Sequence, residues 1–226
     1  MLSVCIVGAS GRMGKAIVAL LPAAKIYPYS RLNADNINAF IQDAQTSDGV
    51  IDISHPDNIL FALDACIKAK KPYMCGTTGL TQSHFDALKA ASTSIPVLYA
   101  ANTSLGIAIL KKAVALVSKA LGENADITIS ETHHRMKKDA PSGTALELGK
   151  VIAQAGYPQE SISFTSLRGG NIPGEHTIHF FHADETIRLS HECLNRNVFA
   201  DGAIKAAQWL FKQPPGFYGL DDMLRL

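Results

Sequence analysis

The chain has 226 residues, 47% of them hydrophobic and 18% charged, which is enough apolar material for one large or two small domains and too much for a disordered or fibrous chain. A formal net charge of +1, with Lys and Arg scattered along the sequence, excludes the broad basic field of a nucleic-acid binder. Cys5, Cys66, Cys75 and Cys193 stand apart with no Cys-x-x-Cys pair, no apolar run is long enough to span a membrane, and Leu2–Val7 has no basic leader, so buried thiols and a cytoplasmic location are expected, with no membrane partner.

Up to about residue 103, short Val- and Ile-rich runs alternate with amphipathic stretches, the rhythm of βαβ units in a parallel sheet. The strands expected are Leu2–Val7, Ile26–Tyr29, Val50–Ile53, Tyr73–Cys75 and Val97–Tyr99; the helices are Met13–Leu21, Asn36–Ala44, Asn58–Ala69 and Ser83–Ala91. Pro28 falls inside the second strand and argues against that assignment. From Gly106 the rhythm changes to a long apolar helix ending near Leu121, a strand at Ile127–His133, a helix from Gly143 to about Ala155, and strands at Ile162–Leu167, Thr177–Phe181 and Thr186–His191. The last two are joined by a short turn at Ala183-Asp184, and the run of strands suggests a second, α+β domain. A final helix, Ala200–Phe211, and a short apolar tail would return to the first domain.

Gly8-Ala9-Ser10-Gly11-Arg12-Met13-Gly14 joins the first strand to the first helix, where glycines let a backbone approach a pyrophosphate at a helix N-terminus. The spacing is Gly-x-x-Gly-x-x-Gly, and a tight turn that binds nothing is the competing reading. The second strand ends in Ser30-Arg31 where NAD enzymes often carry an acid, and Arg31 there can pair with a 2′-phosphate or stand solvated at the surface. Gly76-Thr77-Thr78-Gly79 and Ala100-Ala101-Asn102-Thr103-Ser104 end two further strands and would face the same rim of the sheet.

The densest chemistry lies in Glu131-Thr-His133-His134-Arg135-Met-Lys137-Lys138-Asp139-Ala-Pro141-Ser142-Gly143-Thr144. Alternation puts Glu131 and His133 on one strand face and His134 on the other. Ser142 reads as a helix N-cap, and the free amides behind it, with Lys137, Lys138 and Arg135, suit a small anion that must also receive a proton. A solvated basic loop with one core histidine is the plainer alternative, and no ligand spacing favours a metal. The histidines at positions 55, 84, 176, 179, 182 and 191 share no spacing and read as structural or surface residues, although His55-Pro56 borders the expected crevice; Arg196 either contacts a ligand or caps a strand end.

These residues resemble the 4-hydroxy-tetrahydrodipicolinate reductase (dihydrodipicolinate reductase) family nearly end to end. The resemblance rests on Gly8 to Gly14, Asp52-Ile-Ser-His55-Pro56, Gly76 to Gly79, Ala101-Asn-Thr-Ser104-Leu-Gly106, the run from Glu131 to Thr144, Gly174-Glu-His-Thr177 and Arg196 to Gly202. It implies an α/β fold with a Rossmann-like dinucleotide-binding domain and a parallel sheet (residues 1–103, completed by 198–226). Residues 104–197 would form an α+β domain with a mixed sheet for substrate binding and oligomerisation. It further implies NADPH- or NADH-dependent reduction of a cyclic imine dicarboxylate to tetrahydrodipicolinate, on the diaminopimelate route to lysine, by a cytoplasmic homotetramer. By matched position, His133 would donate or accept a proton and Lys137 donate one, while His134, Ser142, Gly143 and Thr144 bind substrate. Gly8, Ala9, Ser10, Gly11, Arg12 and Met13, with Gly76, Thr77, Thr78, Ala100, Ala101, Asn102 and Thr103, would bind the cofactor.

The chain departs from the family in being shorter between Arg31 and Val50 and in carrying Ser30 where an acid is common, so the resemblance does not carry over a preference between NADH and NADPH. The alternatives are another two-domain NAD(P)-dependent dehydrogenase acting on an amino or keto acid, and a non-catalytic NAD(P) sensor. A sensor has no reason to keep His133 and Lys137 beside Ser142-Gly143-Thr144.

Overall fold

The computed structural model describes residues 1–122 and 125–224. Two compact units divide the described residues: Met1–Ser104 together with 197–224, and Leu105–Arg196.

In the first unit β1 (Ser3–Val7), α1 (Arg12–Leu20), β2 (Lys25–Tyr29), α2 (Ile37–Thr46), β3 (Gly49–Asp52), α3 (Pro56–Ala69), β4 (Tyr73–Cys75), α4 (Gln82–Ala91) and β5 (Pro96–Tyr99) alternate. The chain returns to this unit as α7 (Asn197–Leu210), β10 (Gly216–Tyr218) and α8 (Leu220–Met223). Six strands make one parallel sheet in the order β10-β5-β4-β3-β1-β2. Helices α2, α3 and α4 pack over Cys5, Val7, Val50, Tyr73, Cys75 and Val97. Helix α7 packs against α1 and against β3, β4 and β5. The alternate residues Val4, Ile6, Ile51, Met74 and Leu98 are therefore buried as well, which is why the central strands read as unbroken apolar runs.

Pro28 is accommodated because β2 is the edge strand, bonded to β1 alone. Helix α3 begins two residues earlier than expected: Pro56 takes its first position and His55 caps it, accepting from the Asp57 amide at 3.4 Å. The tail after Pro215 holds a strand the sequence does not announce, β10, with Phe217 beside Val97 of β5. Three residues are too few to show a period, and it is the exposed edge of β5 that makes them a strand.

The second unit runs α5 (Leu105–Leu121), β6 (Asp126–His133), α6 (Gly143–Gln154), a 3-10 turn at Gln159–Ser161, β7 (Ile162–Arg168), β8 (Glu175–Phe181) and β9 (Thr186–Glu192). Its sheet is mixed, in the order β7-β6-β8-β9. Strand β7 lies parallel to β6 through the α6 crossover, and β8 and β9 are antiparallel, their hairpin closed by the His182 amide on the Glu185 carbonyl at 2.9 Å. Helices α5 and α6 cover one face, where Ile127, Ile129, Ile178 and Phe180 meet Ile107, Leu110, Val114, Leu148 and Ile152. The other face carries Leu167 and Phe181 in exposed positions.

All four cysteines are buried and free. Among the described residues no helix is long and apolar enough to cross a membrane.

Candidate active site

In the first unit the strand order turns around between β1 and β3, so the loops that follow them diverge and leave a crevice at the strand carboxyl ends. A cavity of about 380 Å³ opens there, lined by Gly8, Ser10, Gly11, Ser30, Arg31, Ile53, Ser54, His55 and Asp57. Packing dictates the glycines of the turn after β1. Gly8 has φ +87°, and a Cβ on it would stand 2.7 Å from the Ile53 carbonyl oxygen; a Cβ on Gly14 would meet the Gly8 carbonyl oxygen at 2.3 Å. The Gly8 and Ala9 amides both bond the Tyr29 carbonyl, at 2.7 and 3.0 Å, which pins the turn to the end of β2.

Gly11 caps α1 without any side-chain hydrogen bond, so the first-turn amides from Arg12 onward face the rim with the positive end of the helix dipole. A pyrophosphate fits that requirement: it needs close backbone approach, donors and no competing side chain. At the cavity mouth the exposed Arg31 guanidinium lies 3.7 Å from Asp57, which His55 Nδ1 also approaches at 3.2 Å.

The other two turns end β4 and β5 and do not line this cavity. Thr78 and Ala101 are exposed, whereas Thr77 and Thr103 are turned inward. Thr103 Oγ1 donates to the Phe199 carbonyl at 2.6 Å, and Asn102 Oδ1 accepts the Ser104 amide at 2.9 Å. Any ligand contact from Thr77 or Thr103 therefore comes from its backbone.

In the second unit the covered sheet face changes character along β6, where Glu131 and His133 follow Ile127 and Ile129. Glu131 is the hub. Its Oε2 accepts from His133 Nδ1 at 2.5 Å and from Arg168 at 2.8 Å, and its Oε1 accepts from Arg168 at 2.6 Å and from the Ser142 amide at 3.2 Å. Burial alone would push this carboxyl up, but hydrogen bonds from Arg168, Ser166 and His133 hold it at about 2. An ionised Glu131 fixes the proton on His133 Nδ1 and leaves Nε2 to exchange protons. Burial lowers the His133 pKa, against the pull of Glu131, so the neutral imidazole is favoured. Gly174 keeps the exchanging nitrogen clear, since a Cβ there would lie 2.9 Å from Nε2.

Ser142 caps α6 as expected, its Oγ accepting the Ala145 amide at 3.2 Å. The same oxygen lies 3.0 Å from His176 Nε2, and the His176 ring stands edge-on to His133 at 5.1 Å between centroids. Gly143 is exposed with open space where a Cβ would project, and Thr144 is half-buried beside it. Lys137 sits in the turn after β6 with its Nζ 2.8 Å from Asp139, and Arg168 bonds the Asp139 carbonyl, so this loop is tied back to Glu131. His134 is half-buried at the end of β6, and its carbonyl accepts the Lys137 amide at 3.0 Å.

Sequence reasoning assigned no role to Glu131, passed over Arg168, and read His176 as a structural or surface residue. The signal was partial. Arg168 reaches Glu131 only because β7 lies parallel to β6 with Arg168 opposite His133, and His176 reaches Ser142 and the His133 ring because β8 places it opposite Glu131. Among the described residues no group of three or more His, Cys, Asp or Glu is arranged to hold a metal.

Glycines that open a helix start to a pyrophosphate, placed where a parallel sheet reverses its strand order, are the device by which NAD(P)-dependent oxidoreductases hold their cofactor. The comparisons with known proteins narrow this class. The model for the dihydrodipicolinate reductase N-terminus matches residues 23–103, and that for its C-terminus matches 106–224. A 4-hydroxy-tetrahydrodipicolinate reductase from Pseudoalteromonas atlantica is 37% identical over 99% of this chain and 98% of its own length; one from Zymomonas mobilis is 40% identical over 98% and 96%. A dipicolinate-bound dihydrodipicolinate reductase from Paenisporosarcina sp. TG-14 shares the fold, with a TM-score of 0.81 at 20% identity over 99% of this chain and 100% of that one. The chain belongs to the dihydrodipicolinate reductase family. Its alignment with the Pseudoalteromonas relative spans 263 positions against 226 residues here, so that relative carries stretches this chain lacks.

Proposed function

We propose that the chain reduces 4-hydroxy-tetrahydrodipicolinate to tetrahydrodipicolinate with NADPH or NADH, in the diaminopimelate route to lysine. The observation that carries this reading is the Glu131–His133 pair hydrogen-bonded to the α6 start at Ser142, an acid–base group and an anion cradle held by one carboxylate. The conversion replaces a ring hydroxyl by hydrogen, so a hydride must arrive and the hydroxyl must leave with a proton as water. Bound NAD(P)H supplies the hydride.

The rest falls to the chain. The α6 amides at Gly143 and Thr144 hold one carboxylate of the substrate, with the helix dipole behind them, and His134 and the Ser142 end of the cradle flank it. Lys137, an ammonium held by Asp139, donates the proton, and neutral His133 accepts or returns one at Nε2. The turns at Gly8–Met13, Gly76–Thr78 and Ala100–Thr103 hold the dinucleotide, and Arg31 supplies a charge for a 2′-phosphate, with Asp57 as its partner in the absence of one. We place the enzyme in the cytoplasm as a homotetramer, joined through the uncovered face of the second unit's sheet, where Leu167 and Phe181 are exposed.

The test is a coupled assay. The preceding synthase converts pyruvate and aspartate semialdehyde to the substrate, and the purified protein should then oxidise NADPH or NADH. Absence of turnover with both nucleotides would remove the assignment.

A further inference from the structure

Asp52 closes β3 with no exposed surface at all. A carboxylate in that position is costly unless donors satisfy it, and an apolar residue would serve the core better. Four donors converge on it: Oδ1 accepts from the Ser54 amide at 3.0 Å, Ser54 Oγ at 2.6 Å and Thr77 Oγ1 at 3.0 Å, and Oδ2 accepts from the Tyr73 hydroxyl at 2.7 Å. Burial pushes the carboxyl pKa up, and these bonds oppose it.

Tyr73 stands on β4, and the other donors stand on two different loops. Ser54 follows β3 and lines the cavity, while Thr77 follows β4 and also accepts the Ser54 amide, at 2.9 Å. The chain of bonds then continues outward. Asn58 Nδ2 donates to Ser54 Oγ at 3.0 Å, and Asn58 Oδ1 accepts the amide of Leu32, the neighbour of Arg31, at 3.0 Å. Asn58 is 3% exposed and Leu32 2%, so little water competes for these bonds.

We propose that Asp52 is a positioning residue for the dinucleotide: through Ser54, Thr77 and Asn58 it locks the loops after β2, β3 and β4 into the register that shapes the cavity. The inference rests on the reading of this unit as the NAD(P)H-binding one. Asp52 touches no ligand itself. What the carboxylate supplies, and a hydrocarbon could not, is one acceptor shared by Ser54 and Thr77, to which the loop after β2 is linked through Asn58.

The experiment measures Kd for NADPH and NADH by direct titration, with kcat and melting temperature, in the full-length protein. Asp52→Ala is expected to raise Kd about tenfold or more while kcat at saturating nucleotide stays within about threefold. Asp52→Asn retains an acceptor towards Ser54 and Thr77 and should recover most of the affinity. Where Asp52→Ala fails to fold, Ser54→Ala and Thr77→Val each free one loop and should each raise Kd severalfold, with less than additive effect when combined. A folded Asp52→Ala with unaltered Kd, unaltered Kd in both loop variants, or equal losses in kcat and affinity would overturn the proposal. Wild-type protein that binds neither nucleotide would overturn the nucleotide-binding reading itself, and this inference with it.

Discussion

Glu131→Gln preserves the shape of the hub and removes its charge. The Glu131 carboxyl is held at about 2 against 4.5 for an ordinary glutamate, and its side chain is 1% exposed, so the depression is worth about 3 kcal/mol of native-state stability at neutral pH. The unfolded chain takes up this proton near 4.5 and the folded protein only near 2. The stabilisation is therefore complete above about pH 4.5 and vanishes as the pH falls through about 2. Gln at this position should cost about 3 kcal/mol at pH 7 and progressively less below about pH 4.5, measured by urea denaturation of both proteins at a series of pH values. Activity should fall with it. Without the carboxylate the proton is no longer fixed on His133 Nδ1, and kcat should drop on the order of a hundredfold while the Kd for NADPH holds. A stability deficit that is the same at pH 7 and pH 3.5, or an unaltered kcat, would refute the reasoning.

Two further outcomes follow from the same cluster. Burial pushes the His176 imidazole down to about 4 from its usual 6.5, and protonation of His133 beside it would act in the same direction. The unfolded state then binds a proton that the folded state refuses, so wild-type stability should fall by up to about 3 kcal/mol as the pH drops from about 6.5 to about 4, and His176→Gln should show a shallower decline; equal slopes would be contrary evidence. Lys137→Ala should lower kcat by on the order of a hundredfold while leaving dinucleotide affinity unaltered, and parallel losses in both would mark Lys137 as structural.

The features legible in the sequence were those with local causes. Gly8 to Gly14 announces its turn because steric demand selects glycine at Gly8 and Gly14, and Ser142 announces α6 because a cap residue must stand just ahead of its helix. The alternation that puts Glu131 and His133 together is equally local. Partnerships set by topology were not legible. Arg168 is thirty-seven residues from Glu131 and becomes its closest cation through the β6–β7 register. Asp52 was noticed only as part of a motif, because nothing near it in sequence says that Tyr73 and Thr77 will close around it. The inward turn of Thr77 and Thr103 was hidden for the same reason, since a Gly- and Thr-rich loop does not declare which hydroxyl it buries.

The late return of the chain to its first unit has a consequence for how the protein is made. Residues 105–196 are contiguous and can collapse as soon as they leave the ribosome. The parallel sheet cannot finish at that stage. Its β5 edge waits for β10, and the face over β3, β4 and β5 waits for α7, so the nascent first half carries an uncovered apolar surface while the second unit is already complete. Synthesis thus imposes an order in which the interrupting unit matures before the one it interrupts, and a ribosome that stalls short of Asn197 leaves a folded insert attached to an aggregation-prone half-sheet.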